Sequence, residues 1–313
     1  MSAFPRLWKR APLWRLCLYS TVFFSALAAF YPTPYLLRAM PFLSRAAFHT
    51  PTPPPQPQNG QQQGTDQNAP PAPDSPSPDR AALPALDQSV TNSVPFAGHA
   101  LPLPAGVWHP ALTAQTGPQG DVLTNMFIRT DRGIITGVVI AHAGTRPVHD
   151  DGVLNLQNSC HDDRNLLSRA TDANGISECW FTTVAVFHNG SISPDPLVTK
   201  AFERLHVLGF PIAPMLVGTG WTHIAQQKDG GFNFETVDTL LSPTQPGTTK
   251  LIAPMDYWDK LNLPASPPAQ RFVNATNRWM ESWATILHRG LTNPLPPGSI
   301  PAAIGTDPAA PPA

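Results

Sequence analysis

The sequence predicts an α+β domain, a mainly antiparallel sheet covered by helices, behind one apolar N-terminal segment and a proline-rich spacer. Three observations carry this. Residues 16–37, LCLYSTVFFSALAAFYPTPYLL, hold no charge in 22 positions between Arg15 and Arg38. Ten prolines crowd the 28 residues from Pro51 to Pro78. Beyond them come apolar β-type segments broken by short Gly turns, and the last long element has helical periodicity.

The N-terminal segment is expected to be a transmembrane signal anchor. A helix needs about 20 mostly apolar residues to cross ~30 Å of hydrocarbon. Arg6, Lys9, Arg10 and Arg15 precede the segment, no acidic residue occurs before Asp66, and only Arg38 and Arg45 follow closely. The positive-inside rule then keeps residues 1–15 in the cytoplasm and sends the rest across. Ala26-Leu27-Ala28 fits a signal-peptidase site, which is the alternative reading. The apolar character continues through Phe30, Tyr31, Leu36 and Leu37, which favours retention. Either way the bulk of the chain is exported. The expected location is the cell inner membrane, single-pass, with the C-terminal domain periplasmic if the source is bacterial. Cys17 reads as a free thiol within the membrane segment.

Residues 45–94 read as a disordered Pro/Gln-rich linker, because Pro, Gln, Asn, Gly and Ser cannot bury enough apolar surface to offset ordering entropy. Residues 95–291 form the exported globular domain, long enough for its own core. Residues 292–313 read as a disordered Pro/Ala-rich tail. The 95–291 stretch carries 13 Lys/Arg and 16 Asp/Glu, a net of −3 that offers no basic field for nucleic acid.

Within the domain, Val107–Gln115 and Asp121–Thr130 read as strands. Asp131-Arg132-Gly133 turns the chain into the apolar strand Ile134–Ala143, a hairpin pattern. Gly144–Gly175 is a polar excursion with one helical turn near Leu166-Leu167. Ile176–His188 is a strand. Pro194–Leu208 is a helix with Leu197, Ala201, Leu205 and Leu208 on one face and Gly209 as its stop. Met215–Gln227 and Phe232–Leu241 are strands joined through Gly230-Gly231. The final helix, Ala269–Arg289, repeats Phe272, Thr276, Trp279, Met280, Trp283, Ile286 and Leu287 at helical spacing, and its aromatic stripe reads as core.

The polar excursion holds the one dense cluster of reactive residue types. His149-Asp150-Asp151 and His161-Asp162-Asp163 repeat a tripeptide twelve positions apart. Together they could bring imidazole and carboxylate to a divalent metal or to acid–base chemistry, so His161, Asp162, Asp163, His149 and Asp150 are the candidate catalytic residues. A solvated loop with Asp as turn former is the plainer alternative. Cys160 and Cys179, in an exported domain, read as a disulfide. No GxSxG elbow, HExxH helix, CxxC or phosphate-binding loop occurs, and no cofactor is assigned.

Anchor, spacer and one globular domain is the layout of an envelope protein that reaches a partner. The expected function is a binding or scaffolding module whose partner is an envelope protein or polymer. The alternatives are a metal-assisted or general acid–base hydrolase using the His-Asp-Asp loop, and an apolar-ligand carrier with a cavity between the sheet and the Trp279/Trp283 helix.

Overall fold

The computed structural model describes residues 80–117, 120–149, 151–187, 192–193, 195–292 and 300–311. The expected membrane segment and most of the expected linker lie outside these residues. Among the described residues no helix is long and apolar enough to cross a membrane.

The domain is α+β. Its strands are β1 (Arg80–Ala82), β2 (Ser93–Phe96), β3 (His99–Pro102), β4 (Trp108–Thr116), β5 (Val122–Asp131), β6 (Ile134–Gly144), β7 (Leu167–Ala173), β8 (Ile176–Val186), β9 (Met215–Gln226) and β10 (Phe232–Leu241). Its helices are α1 (Pro196–Val207), α2 (Pro267–Thr292) and the short α3 (Ala302–Gly305). Eight strands form one sheet in the order β1-β4-β5-β6-β10-β9-β8-β7, and every pairing is antiparallel. Two meanders, β4-β5-β6 and β7-β8-β9-β10, thus meet at the β6–β10 pair. β2 and β3 form a separate hairpin.

Turn chemistry explains the hairpins. Asp131 pairs with Ile134, so Arg132-Gly133 is a two-residue loop, and both residues have positive φ (52° and 79°). Asn174-Gly175, with φ of 55° and 75°, does the same between β7 and β8. Such loops match the right-handed twist of the flanking strands.

The sheet is covered on both faces. One face sends Trp108, Phe127, Val139, Ala141, Trp221, Val237 and Leu241 against the buried side of α2 and the β2–β3 hairpin. On α2, Trp279 and Trp283 stack with ring centroids 5.5 Å apart, and Met280, Ile286 and Leu287 complete the contact. The opposite face packs Met126, Ile128, Val138, Ile140, Leu216 and Leu240 under Val198, Ala201, Phe202 and Leu205 of α1. On the same face, a 3-10 segment, Asp151–His161, lays Val153 and Leu156 over Ile224, Phe232 and Phe234. Asp195 caps α1 by accepting from the Leu197 amide at 2.7 Å.

Three differences from the sequence expectation have physical causes. The polar excursion contains β7, whose pattern is mostly exposed because it lies at the sheet edge, so alternation does not reveal it. The sheet starts before Pro95: Arg80–Ala82 pairs with β4, and Val90 bridges Trp108. The expected free tail is corrected for residues 300–311. Gly305 O accepts from the Ala105 amide at 2.7 Å, Ile304 O accepts from the Trp279 indole at 2.9 Å, and Asp307 is buried against Arg129. One buried carboxylate and two backbone carbonyls dock a stretch whose composition alone reads as unfolded.

Candidate functional site

Register builds the site. Across the α2-facing side of the sheet, Glu178 of β8 pairs with His223 of β9, and His223 pairs with Glu235 of β10. The next row on that face is Trp180, Trp221 and Val237, all core. A polar row therefore borders an apolar one, and α2 lowers His288 onto it.

The four side chains form two imidazole–carboxylate pairs. His223 Nδ1 lies 2.9 Å from Glu235 Oε2, with side chains 7% and 10% exposed. His288 Nδ1 lies 2.6 Å from Glu178 Oε2, with side chains 42% and 24% exposed. One pair is thus buried and the other reaches solvent. The Trp221 indole N–H donates to Glu178 Oε1 at 3.0 Å and fixes that carboxylate from behind. Trp221 stacks on His223 at 5.9 Å, and His223 meets His288 edge to face at 5.7 Å. Potential ligand atoms of Glu178, His223 and His288 lie within 4.8 Å of one another.

The exposed pair opens on a groove of about 520 Å³ between the β7–β8 edge and α2. Arg169, Glu178, Trp180, Glu281, Thr285 and His288 are among its walls. A cation, two carboxylates, an imidazole and an aromatic surface can therefore meet one ligand. The arrangement can accept and donate protons, hydrogen-bond a polar ligand, or coordinate a metal.

The sequence-derived candidates lie elsewhere. His149 is exposed and sits 3.9 Å from Asp229 on the β9–β10 turn. Asp150 lies outside the described residues. Asp162 accepts from the Arg164 guanidinium and backbone amide, and those hydrogen bonds lower its carboxyl to about 2. His161 and Asp163 are exposed. Among the described residues, the two His-Asp-Asp strings do not share a cluster of ligand atoms. Cys160 and Cys179 form the expected disulfide, with Cα atoms 6.3 Å apart, and it ties the 3-10 segment to β8.

On the opposite face of the sheet, burial alters two further groups. His142, hydrogen-bonded to Thr124 at 2.9 Å, has its pKa lowered by burial, partly offset by the charge of Asp195. Asp238 has no hydrogen-bonding or ionic partner among the described residues, and burial pushes its carboxyl up to about 6.

Sequence reasoning missed Glu178, His223 and Glu235 as a group. Their signal was a polar residue two positions from a core residue in each of three strands: Trp180, Trp221 and Val237. No protein-family model matches the chain, and neither a search of curated proteins nor one of solved structures finds a match.

Proposed function

We propose that this chain is a single-pass membrane protein of the cell envelope, anchored through residues 16–37, whose exported α+β domain is a binding module. The groove beside Glu178 and His288 carries the binding reading. Charged and aromatic side chains from β7, β8 and α2, with the Asn174 amide from the β7–β8 turn, converge on it. The Cys160–Cys179 disulfide supports export, because such bonds persist in oxidising compartments. In a bacterium the domain then works in the periplasm, with an envelope protein or polymer as partner.

Cross-linking in intact cells tests this reading. A photo-cross-linking residue at Thr285, in the groove wall, should give one discrete adduct, and Arg169→Glu should abolish it. The same residue at Leu261, 90% exposed and outside the groove, should not give that adduct. No adduct at Thr285, or the same adduct from both sites, would sink the assignment of the groove.

The second reading is a metal-assisted or general acid–base hydrolase. The His223–Glu235 and His288–Glu178 pairs favour it, since a carboxylate that orients an imidazole is a recurrent acid–base device. Hydrolysis by the purified chain that disappears with His288→Ala would select it over simple binding.

A further inference from the structure

We propose that Glu178, His223 and His288 form a binding site for a divalent transition metal of the zinc class, supported from behind by Glu235 and Trp221. The inference rests on this centre alone and does not require that the groove bind an envelope partner.

The donor set comes first. Two imidazoles and one carboxylate suit zinc and its neighbours, whereas calcium and magnesium favour all-oxygen shells. Three protein ligands with a fourth position left open is the arrangement of zinc sites that also bind a small molecule or water. Here the open side faces the groove, because His288 is 42% exposed while His223 is only 7% exposed.

The geometry is close to what coordination needs. Bonds of ~2.0–2.2 Å place neighbouring ligands of a tetrahedral ion ~3.4 Å apart. The three ligand atoms already lie within 4.8 Å, so modest side-chain rotations close the shell. The proton held between His288 Nδ1 and Glu178 Oε2, 2.6 Å apart, leaves when an ion takes its place.

The supporting contacts are those a metal site requires. Glu235 Oε2 accepts from His223 Nδ1–H at 2.9 Å, which leaves Nε2 with the lone pair for a metal. Trp221 Nε1 donates to Glu178 Oε1, which leaves Oε2 as the ligand atom. The stack of Trp221 on His223 holds the imidazole plane. Both ligands from the sheet are thus fixed before any ion arrives.

Charge gives an independent reason. Glu178 and Glu235 lie under α2 beside a tryptophan-rich core, and among the described residues neither pairs with lysine or arginine. Enclosing the Glu235 carboxylate, only 10% exposed, with no permanent cation beside it is costly, and a divalent ion next to it offsets that cost.

Metal titration of the full-length chain in detergent tests the site. The chain is stripped with a chelator and then titrated with Zn²⁺, with Co²⁺ as a spectroscopic probe. Wild type should bind one ion at this centre, and zinc should raise its Tm. Co²⁺ should give the intense ligand-field absorption of a four- or five-coordinate site. His288→Ala and Glu178→Gln should lose both the Co²⁺ spectrum and the Tm rise. Glu235→Gln should weaken binding by ~10–100-fold, as expected of a group that orients a metal-bound histidine. His149→Ala, a surface change beside Asp229, should bind as wild type does. His288 is partly exposed, so its variant should fold, and a wild-type denaturation midpoint without metal confirms that. The proposal is overturned if wild type takes up no ion, if the spectrum is octahedral and weak, or if His288→Ala binds as tightly as wild type.

Discussion

Replacing Asp307 with alanine should destabilise the domain by about 3–5 kcal/mol, although Asp307 lies in a segment that reads as a loose tail. The magnitude follows from what remains. The Arg129 side chain is 1% exposed and that of Asp307 is fully buried, and the guanidinium grips the carboxylate with bonds of 2.5 and 2.9 Å. Without Asp307, the partners that Arg129 keeps among the described residues are the Ala105 carbonyl at 2.8 Å, the Thr136 hydroxyl at 3.3 Å and the Trp108 ring 4.9 Å away. Those neutral partners do not compensate a buried charge. Urea unfolding of the full-length chain, followed by tryptophan fluorescence, should show a lower midpoint with little change in slope. Arg129→Met should cost a similar amount. The double variant Arg129→Met/Asp307→Leu should cost clearly less than the two single losses added together, because an apolar pair can replace a buried ion pair at little cost. A loss below ~1 kcal/mol for Asp307→Ala, or additive losses in the double variant, would refute the claim that this pair docks the C-terminal segment.

Three further outcomes follow from the same reasoning. Asp238 holds its proton to about pH 6 when folded and to 3.8 ordinarily, so its contribution to stability is complete at low pH and is lost as pH rises through 6. Asp238→Asn should therefore be near neutral at pH 4 and stabilising at pH 8, by up to about 3 kcal/mol at ~1.36 kcal/mol per pH unit; destabilisation at pH 8 would reveal a partner for the ionised carboxylate. Cys160→Ser and Cys179→Ser, which open a bridge spanning 19 positions, should each cost roughly 3 kcal/mol in denaturant titrations, and the double variant should cost no more than either; additive losses would point to two independent thiols. A reporter fused after Gly64 should be active only on the exported side, and a cytoplasmic signal there would overturn the topology.

Most of the fold was legible because its elements announce themselves locally. The apolar run Ile134–Ala143, the Arg132-Gly133 turn and the Trp279/Trp283 stripe each state their own structure. The misses occur where a distant partner decides. Leu167–Ala173 shows no apolar alternation, and it is a strand because the Asn174-Gly175 turn folds it back onto β8. Residues 300–311 are rich in proline and alanine, yet Arg129, a partner 178 positions away in sequence, fixes Asp307. Composition measures how much apolar surface a segment can bury on its own. It does not register one charge that completes another segment's core.

The candidate site follows the same logic in a stronger form. The loop with the densest His and Asp offered the obvious chemistry, but Asp162 is held by Arg164 two residues on, His149 faces Asp229 on the β9–β10 turn, and His161 and Asp163 point to solvent. Glu178, His223 and Glu235 are scattered over three strands, and each looks like an ordinary polar position. They become one object only through register: slipping β9 by a single residue against its neighbours would carry His223 to the opposite face and replace it with Thr222 or Ile224. Because the same register also seats Trp221 in the core, the hydrophobic effect that orders the sheet places the site as well. Burial of Trp221 holds the strand in register, and the strand then presents His223 to Glu235 on one side and Glu178 on the other. A substitution such as Trp221→Ala would therefore reach the site twice, by loosening that register and by releasing the indole hydrogen bond that orients Glu178.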